Sequence, residues 1–312
     1  MDRARKTLMR LAVPDLVSNS YFPAIAAVEL GFMREEGLDV ELDLLFPVTD
    51  AVAALRDGAI DFLAGSAHAP VYADPGWQDV QLLGALARNM YWFLVVRPDL
   101  DVERTTLTRL ANVRIGAAPG PDLGLRRLLA AEGLDIAAAG VTIEPVRGAD
   151  AGNVSFGVTA AQALADGRID AFWANGMGAE VAVRRGVGRV VVDARRDASQ
   201  AAQFTFPALM ATRRTIRDEP EATAAAMRGI ARAQSELRAD PGLATGVGRA
   251  LFPAMEAELI AEVVARDVDF YEQAISREAV SNLVEFTRAS GLTSGGAGYD
   301  DVVAPAAQKL WA

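Results

Sequence analysis

Short apolar runs alternate with longer, helix-like segments along most of the chain. Apolar runs of a few residues indicate strands, and apolar residues at every third or fourth position indicate helices. The pattern predicts strands over residues 7–13, 40–45, 60–64, 80–87, 92–96, 113–117, 141–144, 169–173, 190–193 and 204–211. It predicts helices over 23–36, 49–57, 122–132, 159–166 and 181–185, and a mostly helical region from 218 onward. This alternation indicates an α/β fold with mainly parallel strands.

One block of sequence occurs twice. The block 54–62, Ala-Leu-Arg-Asp-Gly-Ala-Ile-Asp-Phe, returns over 163–172 as Ala-Leu-Ala-Asp-Gly-Arg-Ile-Asp-Ala-Phe, and Glu-Gly-Leu-Asp occurs at both 36–39 and 132–135. Each copy joins a helix end to a strand through a glycine that can adopt a left-handed conformation. Coincidence is the alternative, because such junctions are common in α/β proteins. We favour two lobes of similar βαβ design.

Two such lobes form a cleft, and ligands of α/β proteins bind at the carboxyl ends of the strands. Ser18, Asn19 and Tyr21 follow the first predicted strand, and this mixture of small polar and aromatic side chains suits a binding site. Turn and capping roles are the alternative for these residues. Thr49 is expected to cap the helix over 49–57 and to lie in the loop at the cleft.

The loop after the strand over 60–64 contains Ser66 and His68. We expect a helix to begin here, with Ser66 as its cap and its free N–H groups available to a carboxylate or sulfonate. The alternative is an ordinary cap with a solvated His68. A general acid–base role for His68 is less favoured, because the sequence shows no group that would orient the imidazole.

The second lobe contributes four candidates. Gly120 allows close approach of the backbone before the helix over 122–132, although Asp122 as an ordinary helix cap explains the same residues. Alternation along the strand over 169–173 sends Phe172 and Trp173 to opposite faces, so that Trp173, or Asn175 just beyond the strand, can meet the cleft.

Composition narrows the chemistry. The 312 residues are 51% hydrophobic and 23% charged with a net charge of −10, which suits a globular protein of about two domains and disfavours nucleic acid as a partner. The chain has no cysteine and one histidine, which excludes thiolate catalysis, iron–sulfur clusters and multi-histidine metal centres. It has no phosphate-binding glycine motif either, so we expect no cofactor. Arg88, before the strand over 92–96, could bind an anionic group in the cleft or could simply be solvated.

Several blocks carry a family resemblance. Residues 22–41 resemble the opening helix and strand of the NMT1/THI5-like solute-binding proteins, which include the sulfonate, taurine, nitrate and pyrimidine-precursor receptors of ABC importers. The resemblance continues at 54–62, 94–98, 113–116 and 167–171, and covers about residues 7–210.

The resemblance implies an α/β, type II periplasmic-binding-protein-like fold, with two βαβ lobes joined by a two-segment hinge. Lobe one would comprise residues 1–96 plus 204–312 and lobe two residues 97–203, with the crossings near Arg97 and Phe204. The implied function is a monomeric receptor that binds a small-molecule ligand, an organic anion or an aromatic compound of the sulfonate, carboxylate, nitrate or pyrimidine class. Its expected partners are ABC permease subunits.

An enzyme on the same scaffold is the alternative function. The desulfinase branch of the family needs a nucleophilic cysteine and the yeast-type pyrimidine synthases carry a cysteine-rich motif, so neither chemistry is available to this cysteine-free chain. A cysteine-independent decarboxylase- or dehydratase-like activity on an aromatic or dicarboxylic acid stays open, although the absence of a nucleophile–base constellation favours binding.

Localisation depends on the native start of the chain. Residues 1–7 are basic, as in a signal peptide, but the apolar stretch over 8–14 is too short for a signal peptide core. We expect a periplasmic or extracytoplasmic protein if a signal peptide was removed, and a cytoplasmic one if Met1 is the native start.

Overall fold

The chain folds into two five-stranded sheets. The computed structural model describes residues 8–148, 155–198 and 203–311. The predicted start of the first strand at residue 7 and the basic segment before it lie outside these residues. The strands are β1 (Met9–Val13), β2 (Val40–Leu44), β3 (Phe62–Ser66), β4 (Val80–Ala85), β5 (Trp92–Val96), β6 (Arg114–Ala117), β7 (Thr142–Glu144), β8 (Ala171–Asn175), β9 (Arg189–Asp193) and β10 (Pro207–Thr212).

The two sheets are built to the same plan. Their strand orders are β2-β1-β3-β10-β4 and β7-β6-β8-β5-β9. In each, the first strand lies parallel to its neighbours on both sides, β1 to β2 and β3, and β6 to β7 and β8. In each, the fourth position is taken by an antiparallel strand from the other half of the chain, β10 or β5. The prediction of two lobes of similar βαβ design is therefore confirmed.

Helices connect the strands and form a layer over lobe one. The α-helices of the described residues are α1 (Phe22–Glu29), α2 (Phe32–Glu35), α3 (Val48–Asp57), α4 (Pro121–Ala131), α5 (Phe156–Ala165), α6 (Gly176–Arg184), α7 (Ala194–Asp197), α8 (Arg213–Asp218), α9 (Pro220–Ala239), α10 (Leu243–Leu251), α11 (Ala254–Asp267), α12 (Arg277–Ala289), α13 (Tyr299–Val302) and α14 (Pro305–Gln308). Short 3₁₀ helices cover Ala69–Tyr72, Arg104–Arg109 and Val268–Phe270. None of the helices in the described part of the chain is long and apolar enough to cross a membrane.

The repeated sequence block marks equivalent places in the two lobes. Gly58 ends α3 before β3 and Gly167 follows α5 before β8, and their φ angles are 77° and 67°. Gly37 before β2 and Gly133 after α4 have φ angles of 92° and 85°. These left-handed conformations favour glycine, which explains why both blocks keep it.

The structure corrects several predicted bounds. The helix predicted over 23–36 is two helices, α1 and α2, because Gly31 between them has a φ of 80°. The strands predicted from 60 and 169 begin two residues later in the chain, since the turn after each glycine uses those residues. α5 and α6 begin earlier than predicted, because Ser155 and Asn175 cap them through their side-chain oxygens.

The predicted boundary between the lobes after residue 96 is wrong. β5 pairs with β8 and β9, so it belongs to the second sheet, and the first crossing lies over residues 86–91 rather than near Arg97. The second crossing lies between α7 and β10, the region in which Phe204 was predicted to mark it. Buried apolar residues of both sheets, such as Leu11 and Ile115, belong to one continuous core. The two lobes therefore share one apolar core, to which the residues of the first crossing also belong.

Candidate functional site

A cavity with about 460 Å³ of empty space lies between the lobes. It lies where β1, β6 and β8 end, the edge at which α/β sheets bind ligands. Its lining residues are Pro14, Asp15, Ser18, Tyr21, Phe46, Val48, Tyr91, Trp92, Ala118, Pro119, Pro121, Phe156, Gly157, Trp173, Ala174 and Asn175. They come from both lobes and from the first crossing.

The Asp15 carboxyl group joins the lobes at one side of the cavity. Its Oδ2 accepts hydrogen bonds from Ser155 Oγ at 3.0 Å and from Asn175 Nδ2 at 2.9 Å. Ser155 and Asn175 also cap α5 and α6. Asp15 therefore lies against the N-termini of two helices of the opposite lobe, where the helix dipoles favour a negative charge.

The other oxygen of this carboxyl group is free. Asp15 Oδ1 is buried and has no hydrogen-bond partner among the described residues. Burial raises the pKa of Asp15 to about 7, although Ser155 and nearby backbone amides, those of Phe156 and Gly157 among them, oppose the shift by favouring the charged form. The cavity thus contains one carboxyl group that changes charge near neutral pH.

Aromatic rings form most of the remaining wall. The hydroxyl oxygens of Tyr21 and Tyr91 are 2.7 Å apart, and the ring centres of Tyr91 and Trp92 are 4.5 Å apart. The ring centres of Trp92 and Trp173 are 5.9 Å apart. Trp173 Nε1 donates a hydrogen bond to the Pro121 carbonyl at 3.1 Å. These hydrogen bonds fix the orientation of the rings before any ligand binds.

A second aromatic contact crosses the cleft at the cavity wall. Phe46 of lobe one stacks on Phe156 of lobe two, with ring centres 6.2 Å apart and planes inclined by 18°. Phe46 follows β2 and Phe156 is the first residue of α5, so the contact joins the two lobes directly. Any separation of the lobes breaks it.

His68 lies behind the cavity wall and joins the lobes there. Its Nε2 lies 3.3 Å from the Gly120 carbonyl, which can only accept, so Nε2 carries the proton. Its Nδ1 then accepts from Thr205 Oγ1 at 3.0 Å. Burial lowers the pKa of His68 to about 4, so the ring is neutral at physiological pH. His68 therefore lies in the cleft between the lobes but not on the cavity wall, and because it is buried its solvated alternative is wrong.

Ser18, Tyr21, Trp173 and Asn175 are the predicted residues that the cavity brings together. Trp173 is fully buried and Phe172, its neighbour on the opposite face of β8, is buried as well. Gly120 lies beside the cavity between two prolines that line it, with a φ of 99°. Whether these side chains touch a ligand stays a prediction.

Five of the predicted residues do not line the cavity. Asn19 donates from Nδ2 to the buried Asp267 at 2.5 Å, and Asp122 accepts from the Gly120 amide at 3.0 Å and pairs with Arg126 at 3.3 Å. Thr49 does not cap α3, whose first turn follows Pro47, and the neighbouring Phe46 and Val48 line the cavity instead.

The other two corrections concern Ser66 and Arg88. Ser66 is the last residue of β3 and caps no helix; the short 3₁₀ helix begins three residues later, at Ala69. Arg88 lies away from the cavity, where it pairs with Glu272 at 3.3 Å and covers the ring of Phe270.

The sequence did not single out Asp15, Phe46, Tyr91, Trp92 or Ser155 as individual ligand contacts, although it predicted that the loops over 15–22 and 152–157 lie at the cleft. A detectable signal existed for Asp15, since an acidic residue that directly follows an apolar strand and a proline lies where ligands bind. Tyr91 and Trp92 had no local signal, because their position depends on β5 joining the second sheet. Among the described residues, no group of three or more acidic or histidine side chains is arranged to hold a metal ion.

Solved structures share this fold at low sequence identity. The alkanesulfonate-binding protein SsuA from Xanthomonas axonopodis pv. citri, solved with MOPS bound, is 17% identical, and the match covers 97% of this chain and 98% of that one with a TM-score of 0.71. The periplasmic nitrate-binding protein NrtA from Synechocystis PCC 6803 is 16% identical, with coverage of 98% and 87% and a TM-score of 0.69. The desulfurization enzyme DszB is 17% identical, with coverage of 96% and 98% and a TM-score of 0.65.

These similarities confirm the predicted fold class, an α/β fold of the periplasmic-binding-protein type. No curated protein sequence matches this chain. The sequence pattern of the family described as NMT1/THI5 like, however, matches residues 18–244, which is well over half of the chain. The chain belongs to the NMT1/THI5-like family.

Proposed function

We propose that this protein is the solute-binding receptor of an ABC importer and that it binds a small aromatic solute between its lobes. The observation that carries the proposal is the aromatic cavity where β1, β6 and β8 end, lined from both lobes. Rings that are already held in place suit the binding of a planar solute, because little side-chain freedom is lost when the solute enters.

The relatives support a role in transport. SsuA and NrtA bind sulfonates and nitrate, and NrtA is described as periplasmic. A receptor of this kind delivers its solute to a permease outside the cytoplasmic membrane. We therefore assign this chain to the extracytoplasmic space, with permease subunits as its partners and a monomeric state. Fractionation of the native host would test the location, and pull-down with the permease would test the partnership.

The receptor proposal is tested by looking for binding without turnover. The protein is incubated with aromatic amines, amides, carboxylates and sulfonates, and mass spectrometry follows both the protein-bound compounds and the solution. We expect a compound to be retained unchanged at one per chain. Conversion of a bound compound by the wild-type protein would contradict the receptor function.

A cysteine-independent enzyme is the second candidate. One observation favours it: the Asp15 carboxyl group lies in the cavity with a pKa of about 7, the range of a general acid or base. The fold of DszB shows that this scaffold can carry catalysis. Asp15→Asn would then abolish conversion while the bound substrate is retained. The receptor proposal predicts no product in either protein.

A further inference from the structure

The cavity between the lobes carries an unusual balance of charge. Asp15 is its only acidic lining residue, and no arginine, lysine or histidine lines it within the described part of the chain. His68 lies behind the wall as a neutral ring with both nitrogens engaged. The charge of Arg195 is felt by Tyr91, but Arg195 does not line the cavity and pairs with the buried Asp267 at 3.1 Å. No positive charge therefore faces a solute in the cavity.

The helix N-termini at this cavity are already engaged. The amide ends of α5 and α6 could stabilise a bound anion, as helix N-termini often do. Here the Asp15 carboxyl group lies against both of them, with hydrogen bonds from their capping residues Ser155 and Asn175. A sulfonate or carboxylate would have to compete with this internal carboxylate and would suffer repulsion from it in a poorly hydrated space.

Asp15 lines the cavity, and its Oδ1 atom is buried without a hydrogen bond to any described residue. A buried acceptor without a donor carries a cost in free energy, and a ligand that supplies the donor removes that cost. The rings of Trp92 and Trp173 beside it suit the faces of a planar ring system. A ligand that fits these features has a hydrogen-bond donor on a planar, apolar ring system.

We propose that the cavity selects an aromatic solute that bears a cationic or hydrogen-bond-donating nitrogen group, and that Asp15 determines this specificity by accepting from that group through Oδ1. The inference rests on the proposed receptor function and adds the chemical class of its solute. It excludes small organic anions as preferred solutes.

Three probes of nearly equal shape test the selection. Benzamidine, benzamide and benzoate share a ring and a planar substituent but carry charges of +1, 0 and −1. Their affinities are measured by calorimetry at pH 8, where Asp15 is mostly ionised. We expect benzamidine to bind tightest, at least tenfold tighter than benzoate, with benzamide between them.

Variants assign the selection to the carboxylate. Asp15→Asn should weaken benzamidine at least tenfold and remove the discrimination against benzoate. Asp50→Asn changes the net charge equally at an exposed position and should keep the wild-type order. Thermal melts of each variant show whether it is folded.

Three outcomes would overturn the inference. Benzoate could bind the wild-type protein as tightly as benzamidine, the order could survive in a folded Asp15→Asn, or none of the three probes could bind. The receptor function is judged separately, by the appearance of product from any probe. If benzoate binds best and no product forms, the proposed selectivity is wrong but the receptor function is not contradicted. If product forms, the receptor function is wrong whatever the order of affinities.

Discussion

At the scale of single residues, Asp15 is subject to two opposing influences. Burial disfavours its charge and raises its pKa to about 7, while Ser155 and the ends of two helices favour the charge. The folded protein therefore holds a proton on this carboxyl group over a pH range in which the unfolded chain, with an ordinary pKa of 3.8, has released it. Folding stability must depend on pH through this residue.

The sign of that dependence gives a prediction for Asp15→Asn. Because the folded pKa is raised, the contribution of Asp15 is fully present below pH 3.8 and is lost as the pH rises through about 7. The free energy of unfolding of the wild type, relative to Asp15→Asn, should therefore fall by about 2–3 kcal/mol between pH 5 and pH 8. Urea unfolding at several pH values measures it.

The titration of His68 does not affect that comparison. Its lowered pKa makes its own contribution decrease as the pH falls from 6.5 to about 4, the opposite direction. Since both proteins contain His68, its effect cancels in the difference. A difference that stays constant from pH 5 to pH 8 would mean that Asp15 is ionised in the folded protein throughout.

Tryptophan fluorescence should report binding in the cavity. Trp92 and Trp173 line it, whereas Trp77 is buried in the core of lobe one. We expect benzamidine to change the emission, Trp173→Phe to reduce that change, and Trp77→Phe to leave it intact. If Trp173→Phe shows the full change and Trp92→Phe shows none, Trp92 alone is the reporter.

The sequence indicated some of these residues and missed others for a physical reason. Tyr21, Trp173 and Asn175 could be found because each lies either at the carboxyl end of a strand that the local pattern predicts or in the loop that follows such a strand. Asn19 and Arg88 do not line the cavity, because they pair with Asp267 and Glu272, which lie 248 and 184 positions away in the chain. No local pattern carries such pairings.

At the scale of elements, the close packing of α5 on α6 holds the lobe-two side of the cavity. A Cβ atom on Gly178 would lie 2.6 Å from the Cα atom of Gly157, too close for two packed helices. Ser155 and Asn175, which bond to Asp15, cap these same helices. The position of the two capping residues therefore depends on the absence of side chains at Gly157 and Gly178.

Gly178→Ala should disturb this packing. Overpacking of this kind costs about 1–3 kcal/mol of stability, and we expect weaker binding of benzamidine because the capping residues shift. Gly246→Ala is the matched control: it lies inside α10 with open space at its Cβ position, so it should gain about 0.5–1 kcal/mol from helix propensity and leave binding unchanged. Chemical denaturation and calorimetry measure both effects. Unchanged stability in Gly178→Ala would show that the helices can separate without cost.

The elements themselves were largely predictable from hydrophobic pattern and glycine positions. The repeated block located both helix–glycine–strand junctions, and its glycines have the expected left-handed conformation. The first residues of α5 and α6 were harder to predict from the sequence. The caps Ser155 and Asn175 set these starts, and the apolar periodicity alone places them later in the chain. The sheet to which β5 belongs depends on pairing with β8, which lies far along the chain.

At the scale of the whole molecule, the lobes are held closed by contacts that cross the cleft. Asn175 and Ser155 donate to Asp15, His68 donates to the Gly120 carbonyl, and Phe46 stacks on Phe156. Two short crossings connect the lobes, so these contacts can break together when the lobes rotate apart. Such a rotation would widen the entrance to the cavity between the lobes.

The most direct test of the account is the distance between the lobes with and without solute. Because the chain has no cysteine, spin labels can be placed uniquely at Glu41→Cys in lobe one and Glu144→Cys in lobe two, both exposed. A second pair within lobe one, Glu41→Cys with Ser281→Cys, is the control. We predict that benzamidine narrows the inter-lobe distance distribution and shifts it towards a single closed value, while the control pair does not change. An inter-lobe distribution that is identical with and without benzamidine, at a concentration where calorimetry shows it bound, would contradict a receptor that closes on its solute.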